Sequence, residues 1–266
     1  GVALWKDTTL AAEPGHDYGH TGEQARAFAE ALAGRLGLAP GYVIAAFEDP
    51  LAYVHTERML PVGVDPAVNN LDDPEERDRL RRVFSRGLGT PVGFVLPLTR
   101  VEEQGRRQWR SGEWTLRSRH LFLVPGDSPA GFRLPLHSLP QGPSLDVVPV
   151  DPMSAFPPLA AVERPVQVVT DPEAATPKAT RKAEAFIAAA RTPAPLVRTA
   201  LAVESREGAL RVFLPPVASA VDFVELVATV EDTARALGTP VVLEGYTPPF
   251  DPRLRHISVT PDPGAR

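Results

Sequence analysis

Between Val197 and Glu244 the chain changes its apolar period twice, which limits it to few architectures. Val197, Thr199, Leu201 and Val203 alternate with Arg198, Ala200, Ala202 and Glu204, the pattern of a strand with one buried face. Glu207-Gly208 is a hairpin turn signal, and Ala209 to Leu214 reads as the return strand. From about Val221 to Leu237 the spacing becomes three and four. Phe223, Leu226, Val227, Val230, Ala234 and Leu237 then share one helical stripe. Ser219 and Asp222 resemble a capping box, and Gly238 closes the helix. Pro240 to Glu244 and His256 to Thr260 read as further strands. Strand, hairpin, helix, strand predicts an α+β fold with mixed or antiparallel sheets and helices packed against them.

Upstream, residues 1–20 form an irregular lead-in. His16-Asp17-Tyr18-Gly19-His20 offers metal-binding side chains. Pro14, Gly15 and Gly19 make it a loop, so its i,i+4 spacing carries no helical meaning. A first helix follows, with Thr21 as N-cap and Gln24 at N3. Ala25, Phe28, Ala29, Leu32 and Leu36 form its apolar stripe, and Gly37 stops it. Tyr42 to Ala46 and Leu51 to Val54 read as strands split by Glu48-Asp49-Pro50. Asp73 and Pro74 open a second helix that Gly87 ends, and it carries a row of arginines. Pro91 to Leu98, Glu113 to Arg117 and His120 to Val124 read as strands, with Trp109 and Trp114 covering a sheet face. The turn from Pro125 to Leu136 reads either as structural or as an anion cradle using Asp127 and Arg133. Within a proline-dense connector, Val166 to Val169 adds an edge strand and Pro177 to Ala190 a peripheral helix. The expected organisation is an N-terminal α+β region (1–150), a proline-rich linker with one helix (151–193) and a sheet-forming segment (194–266).

Composition narrows the chemistry. The 266 residues include no cysteine, which removes disulfides, zinc–thiolate sites and thiol catalysis. Lys plus Arg is 28 and Asp plus Glu 33, a net charge of −5. That balance argues against a dedicated nucleic-acid or membrane-surface binder. No apolar run is long enough to cross a bilayer and no signal peptide is visible, so the cytoplasm is the expected compartment.

Glu204 and Glu244 each end an apolar strand. Carboxylates placed so can hold Mg²⁺, which takes carboxylate oxygens together with substrate phosphates. Glu204 reads equally as an acid of the turn Glu204 to Gly208. Arg198, Arg253 and His256 are candidates for binding a phosphate or a substrate carboxylate.

Several longer phrases carry a resemblance. Asp72 to Arg77, Gly89-Thr90-Pro91-Val92-Gly93, Pro125 to Leu136, Val197 to Leu201, Glu244-Gly245-Tyr246, Asp251-Pro252-Arg253-Leu254 and Val259 to Gly264 run in order along nearly the whole chain. Together they resemble the predicted amidoligase domain that follows transglutaminase-like domains in large bacterial proteins. The resemblance implies the glutamate–cysteine ligase and glutamine synthetase class. It implies an ATP- and Mg²⁺-dependent carboxylate–amine ligase working through an acyl phosphate, with small-molecule or peptide carboxylates and amines as substrates. It also implies that residues 194–266 are the first part of a glutamine-synthetase-like sheet. Two phrases of the resembled domain are absent: a Glu-x-Asn strand after the Asp262-Pro263-Gly264 turn, and a later Gly-Gly-Asn-His segment. Gly63 stands where the domain usually has Asn, and Ala202 where it usually has Cys. The expectation is a fragment that is inactive alone. The alternative is a non-catalytic docking module of a larger transglutaminase-like protein.

Overall fold

The computed structural model describes residues 7–13, 15–49, 89–103, 105–114, 116, 120–126, 131–135, 158–159 and 197–254. Nine strands and two α-helices lie among them: α1 (Gly22–Arg35), β1 (Ile44–Glu48), β2 (Gly93–Pro97), β3 (Thr99–Glu103), β4 (Arg106–Arg110), β5 (Leu121–Pro125), β6 (Phe132–Arg133), β7 (Ala200–Arg206), β8 (Ala209–Leu214), α2 (Ala220–Leu237) and β9 (Val241–Gly245). The fold is α+β, a large curled mixed sheet and a small one with helices packed against them. The large sheet has the order β6-β5-β1-β2-β7-β8-β9, and β3 pairs with β4 in the small one. β1 runs parallel to β5 and β8 parallel to β9, and the other pairs are antiparallel. Strands from the segments 1–150 and 194–266 meet in this one sheet, at the β2–β7 pair.

Both helices cover the same face. α1 begins where its sequence predicts, with Gln24 Oε1 accepting the Thr21 backbone N–H at 2.7 Å. Its stripe of Ala25, Phe28, Ala29, Leu32 and Leu36 is buried. It packs on Phe94 and Leu96 of β2 and Leu201 and Val203 of β7. Phe28 has no exposed surface, so Phe28→Ala removes the largest anchor of this helix, a loss of about 3–5 kcal/mol. α2 carries β8 over to the parallel β9. Ser219 Oγ accepts the Asp222 N–H, and Gly238 ends the helix in the left-handed region at φ 61°. Leu226, Val227, Val230 and Ala234 are buried as predicted, whereas Leu237 is 45% exposed.

Two strand readings are corrected. Chain pairing begins at Ile44 because Pro40–Tyr42 is a 3-10 turn. Glu113, Trp114 and Leu116 lie in no strand. Trp114 instead crosses to the second face, where its indole Nε1 donates to Val197 O at 2.7 Å. The β3–β4 hairpin was not anticipated. It is rich in charge, and its burial comes from docking on α2. Arg100 gives both guanidinium arms to Glu225 at 2.8 Å, Trp109 Nε1 donates to Glu225 at 3.0 Å, and Arg107 reaches Asp222 at 2.6 Å. The expected Leu51–Val54 strand, the helix after Asp73, the strand at 166–169, the helix at 177–190 and the strand at 256–260 lie outside the described residues.

The lead-in is a strap along α2, β9 and the β7–β8 turn. Asp7 N donates to Glu231 and Ala12 N to Val241 O. Tyr18 N and His20 N both donate to Gly208 O at the β7–β8 turn. Among the described residues, no three His, Asp or Glu side chains gather as metal ligands.

Candidate active site

Strand alternation decides what the second face of the sheet carries. Leu201 and Val203 point to the helices, so Ala200, Ala202, Glu204 and Arg206 point the other way. Register extends the rule to the neighbours. Ala202 is opposite Phe213, which is opposite Glu244, and Glu204 is opposite Arg211. A cavity of about 550 Å³ opens over this face. That size suits a small-molecule substrate. Ala46, Val95, Ala200 and Ala202 contribute an apolar floor, and Glu204, Arg211 and Glu244 form a charged end.

The charged end is tightly joined. Arg206 reaches Glu204 Oε1 at 3.0 Å through Nη1 and Glu244 Oε1 at 2.6 Å through Nη2. Arg211 reaches the same Glu244 oxygen at 2.8 Å and Glu207 at 3.0 Å. Three carboxylates thus face two guanidinium groups. Glu204 Oε1 has no accessible surface and makes no hydrogen bond, although Arg206 Nη1 lies 3.0 Å away. Burial pushes the Glu204 carboxyl above its ordinary value. Arg206 pulls it back, the Glu244 charge raises it further and Arg211 lowers it. A carboxyl raised in this way takes up a proton more readily than a solvated one.

Two glycines shape the cavity. A Cβ on Gly93 would come within 3.1 Å of Val203 O and 3.4 Å of Glu204 Cβ, so any side chain there presses on Glu204. Gly245 has φ +101°, and a Cβ there would lie 2.4 Å from Leu214 O. Only glycine lets β9 end hard against Leu214. The next residue, Tyr246, borders the cavity with its ring edge-on to Phe213 at 6.2 Å.

Of the residues singled out from sequence, Glu204, Glu244, Arg198 and Arg133 all line this cavity. Glu204 sits in β7, one of the two positions its sequence allowed, and the turn falls at Glu207-Gly208. Arg253 does not line the cavity. It closes back on Asp251, with Nε to Oδ1 at 2.8 Å and Nη2 to Oδ2 at 2.6 Å. Asp127 and His256 lie outside the described residues. Sequence reading missed Arg206 and Arg211. The signal was present: a two-residue turn at Glu207-Gly208 sets Glu204 directly opposite Arg211, a cross-strand ion pair.

The donor set bears on Mg²⁺. Two carboxylates with substrate phosphates are enough for that ion in principle. Here, however, the facing oxygens Glu204 Oε1 and Glu244 Oε1 are bridged by a guanidinium, and a second one holds Glu244. As joined, the pair does not fit a protein-held metal.

The chain matches over residues 1–265 the family described as "putative amidoligase enzyme", and it belongs to that family. The membership supports a ligase-like function. Neither the curated proteins nor the solved structures contain a match to the chain. No described helix is long and apolar enough to cross a membrane.

Proposed function

We propose that the second face of the sheet is the reaction chamber of an ATP-dependent carboxylate–amine ligase. The supporting observation is the meeting of Glu204, Glu244, Arg198 and Arg133 around one cavity. In this reading ATP enters as its magnesium complex, and Mg²⁺ is the counter-ion of the nucleotide. The parent polypeptide supplies whatever else the reaction needs, in the cytoplasm where ATP is plentiful.

A substrate carboxylate oxygen attacks the γ-phosphorus. The bond from that phosphorus to the β-bridging oxygen breaks, ADP leaves, and an acyl phosphate forms. Arg198 and Arg133 are the cations for phosphate oxygens, which guanidinium forks bind with directed, charge-assisted hydrogen bonds. The amine nitrogen then attacks the acyl carbon. The bond from carbon to the phosphate oxygen breaks, and inorganic phosphate leaves with the electron pair. Glu204, raised by its burial, accepts the proton that the nitrogen sheds.

The test is ADP release by the parent polypeptide with ATP, a carboxylate panel and an amine panel. Release that requires both substrates and falls at least about a hundredfold in Glu204→Gln supports the reading. Release indifferent to the amine, or undiminished in Glu204→Gln, overturns it.

A further inference from the structure

Arg206 joins two acids from different strands at the charged end of the cavity. It is the last residue of β7, one row beyond Glu204, and lies opposite Ala209. Its side chain turns back to place one nitrogen on each glutamate, although those acids come from strands with β8 between them. The fit is uneven. Glu244 Oε1 receives close contacts from two guanidinium groups, while Glu204 Oε1 is enclosed and receives no hydrogen bond. The planar fork reaches both oxygens but hydrogen-bonds only Glu244. A compact ammonium carries three rotatable N–H donors, which are not held to one plane.

The surroundings select what such an ammonium is attached to. Next to Glu204 the floor is Gly93 and Ala202, which leaves room, and Phe213 borders the same space. Of the cations lining the cavity, Arg211 holds Glu244 at this end, whereas Arg198 and Arg133 lie away from it. Arg198 is six residues before Glu204 along an extended chain, up to about 20 Å, and Arg133 belongs to β6, four strands from β7.

We propose that Arg206 occupies the seat of the acceptor amine. The acceptor is a primary amine on an apolar body, and its ammonium displaces the Arg206 guanidinium from between Glu204 and Glu244. Calling this amine the acceptor rests on the ligase reading above. The seat itself does not. Arg206 therefore acts as an internal plug. In the resting protein it keeps two half-buried acids from facing each other uncompensated, and it moves out when the substrate brings its own cation. The apparent affinity for the amine is reduced by the fraction of molecules in which the plug is seated.

The experiment measures binding to the 266-residue chain by calorimetry, with no nucleotide and no carboxylate donor. n-Hexylamine, hexan-1-ol and hexanoate serve as probes of matched length. The expected result is that hexylamine binds at least about tenfold more tightly than hexan-1-ol. Hexanoate should bind least. Arg206→Ala should tighten hexylamine about tenfold and leave hexan-1-ol unchanged, because only the amine competes with the plug. Glu244→Gln should weaken hexylamine. Arg206→Gln replaces Arg206→Ala if the latter does not fold, and the wild-type comparison of the three probes stands without either variant. Equal binding of amine and alcohol, or preference for hexanoate, overturns the proposal. The two readings fail separately. Amide formation that ignores Arg206→Ala and Glu244→Gln removes the seat and keeps the ligase. Selective amine binding without amine-dependent ADP release keeps the seat and removes the ligase.

Discussion

Two networks of arginine and carboxylate lie in this molecule, built from the same residue types and put to different use. One ties the β3–β4 hairpin to the first turns of α2. There Glu225 receives both arms of Arg100 and the Trp109 indole, and Asp222, with no exposed side-chain surface, receives Arg107 and Ser219. Its loosest contact, Arg100 Nε to Asp222 Oδ1 at 3.3 Å, joins two buried atoms that make no hydrogen bond, while both side chains are bound through their other atoms. The other network borders the cavity, with three carboxylates to two guanidinium groups and an enclosed Glu204 oxygen left without a hydrogen bond. The α2 network has matched charges and several directed bonds for each acid, which is what holds an element in place. The cavity network has more carboxylates than guanidinium groups and lies beside an open space. A candidate site is recognised by that excess of negative charge next to a cavity more than by the presence of charged residues.

The contrast can be broken by removing one acid from each side. Asp222→Ala leaves Arg100 and Arg107 facing a void under the hairpin, and it should cost about 3 kcal/mol in urea unfolding. Amine binding at the cavity should not change. Glu244→Ala is the matching cut on the open face. Arg211 lines the cavity and Arg206 is partly exposed, so water can reach both and the expected loss is about 1–2 kcal/mol. Equal losses for the two variants would mean that both networks are structural.

Titration sharpens the same contrast. The folded Glu204 carboxyl lies above its ordinary value of 4.5 because burial disfavours its charge. Its contribution to stability is therefore present below 4.5 and is lost as pH rises through the folded value. Glu204→Gln cannot titrate. Its melting temperature should gain on wild type as pH rises from below 4.5 to neutrality. A constant difference across that range would contradict the buried, underbonded state of Glu204. The smallest effect is expected at Asp251, whose carboxyl the Arg253 side chain holds below its ordinary 3.8. That stability is present above 3.8 and is lost as pH falls. Asp251→Asn should lower the melting temperature by about 1 °C at neutral pH, and the difference should close in acid.

Local signals were legible in the sequence where a residue's role is set by its neighbours in the chain. Thr21 and Gln24 announce the start of α1, Ser219 and Gly238 bracket α2, and Glu207-Gly208 places the turn between β7 and β8. The Ala209–Leu214 strand has the predicted limits. What was not legible depends on partners far along the chain. Glu102, Glu103, Arg106 and Arg107 look like a solvated surface, and only α2, more than a hundred residues later, turns them into a docked hairpin. The candidate site divides in the same way. Glu204 and Glu244 stood out because acids at the ends of apolar strands are unusual. Arg206 looked like an ordinary surface cation, because its reach to a strand two positions away cannot be read from spacing.

The β2–β7 seam also has a consequence for how the molecule assembles. β7, β8, α2 and β9 are consecutive and pair locally, so this unit needs little loop closure to begin forming. The seam instead joins residues such as Thr199 and Leu98, which are 101 apart in sequence. Closing a loop of that size costs about 4 kcal/mol of chain entropy before any seam contact repays it. Contacts of such separation slow folding. The floor of the cavity, with Gly93 on β2 and Glu204 on β7, spans this seam. The chamber is therefore completed when the two parts of the sheet join, and cannot exist in a chain that has formed only one of them.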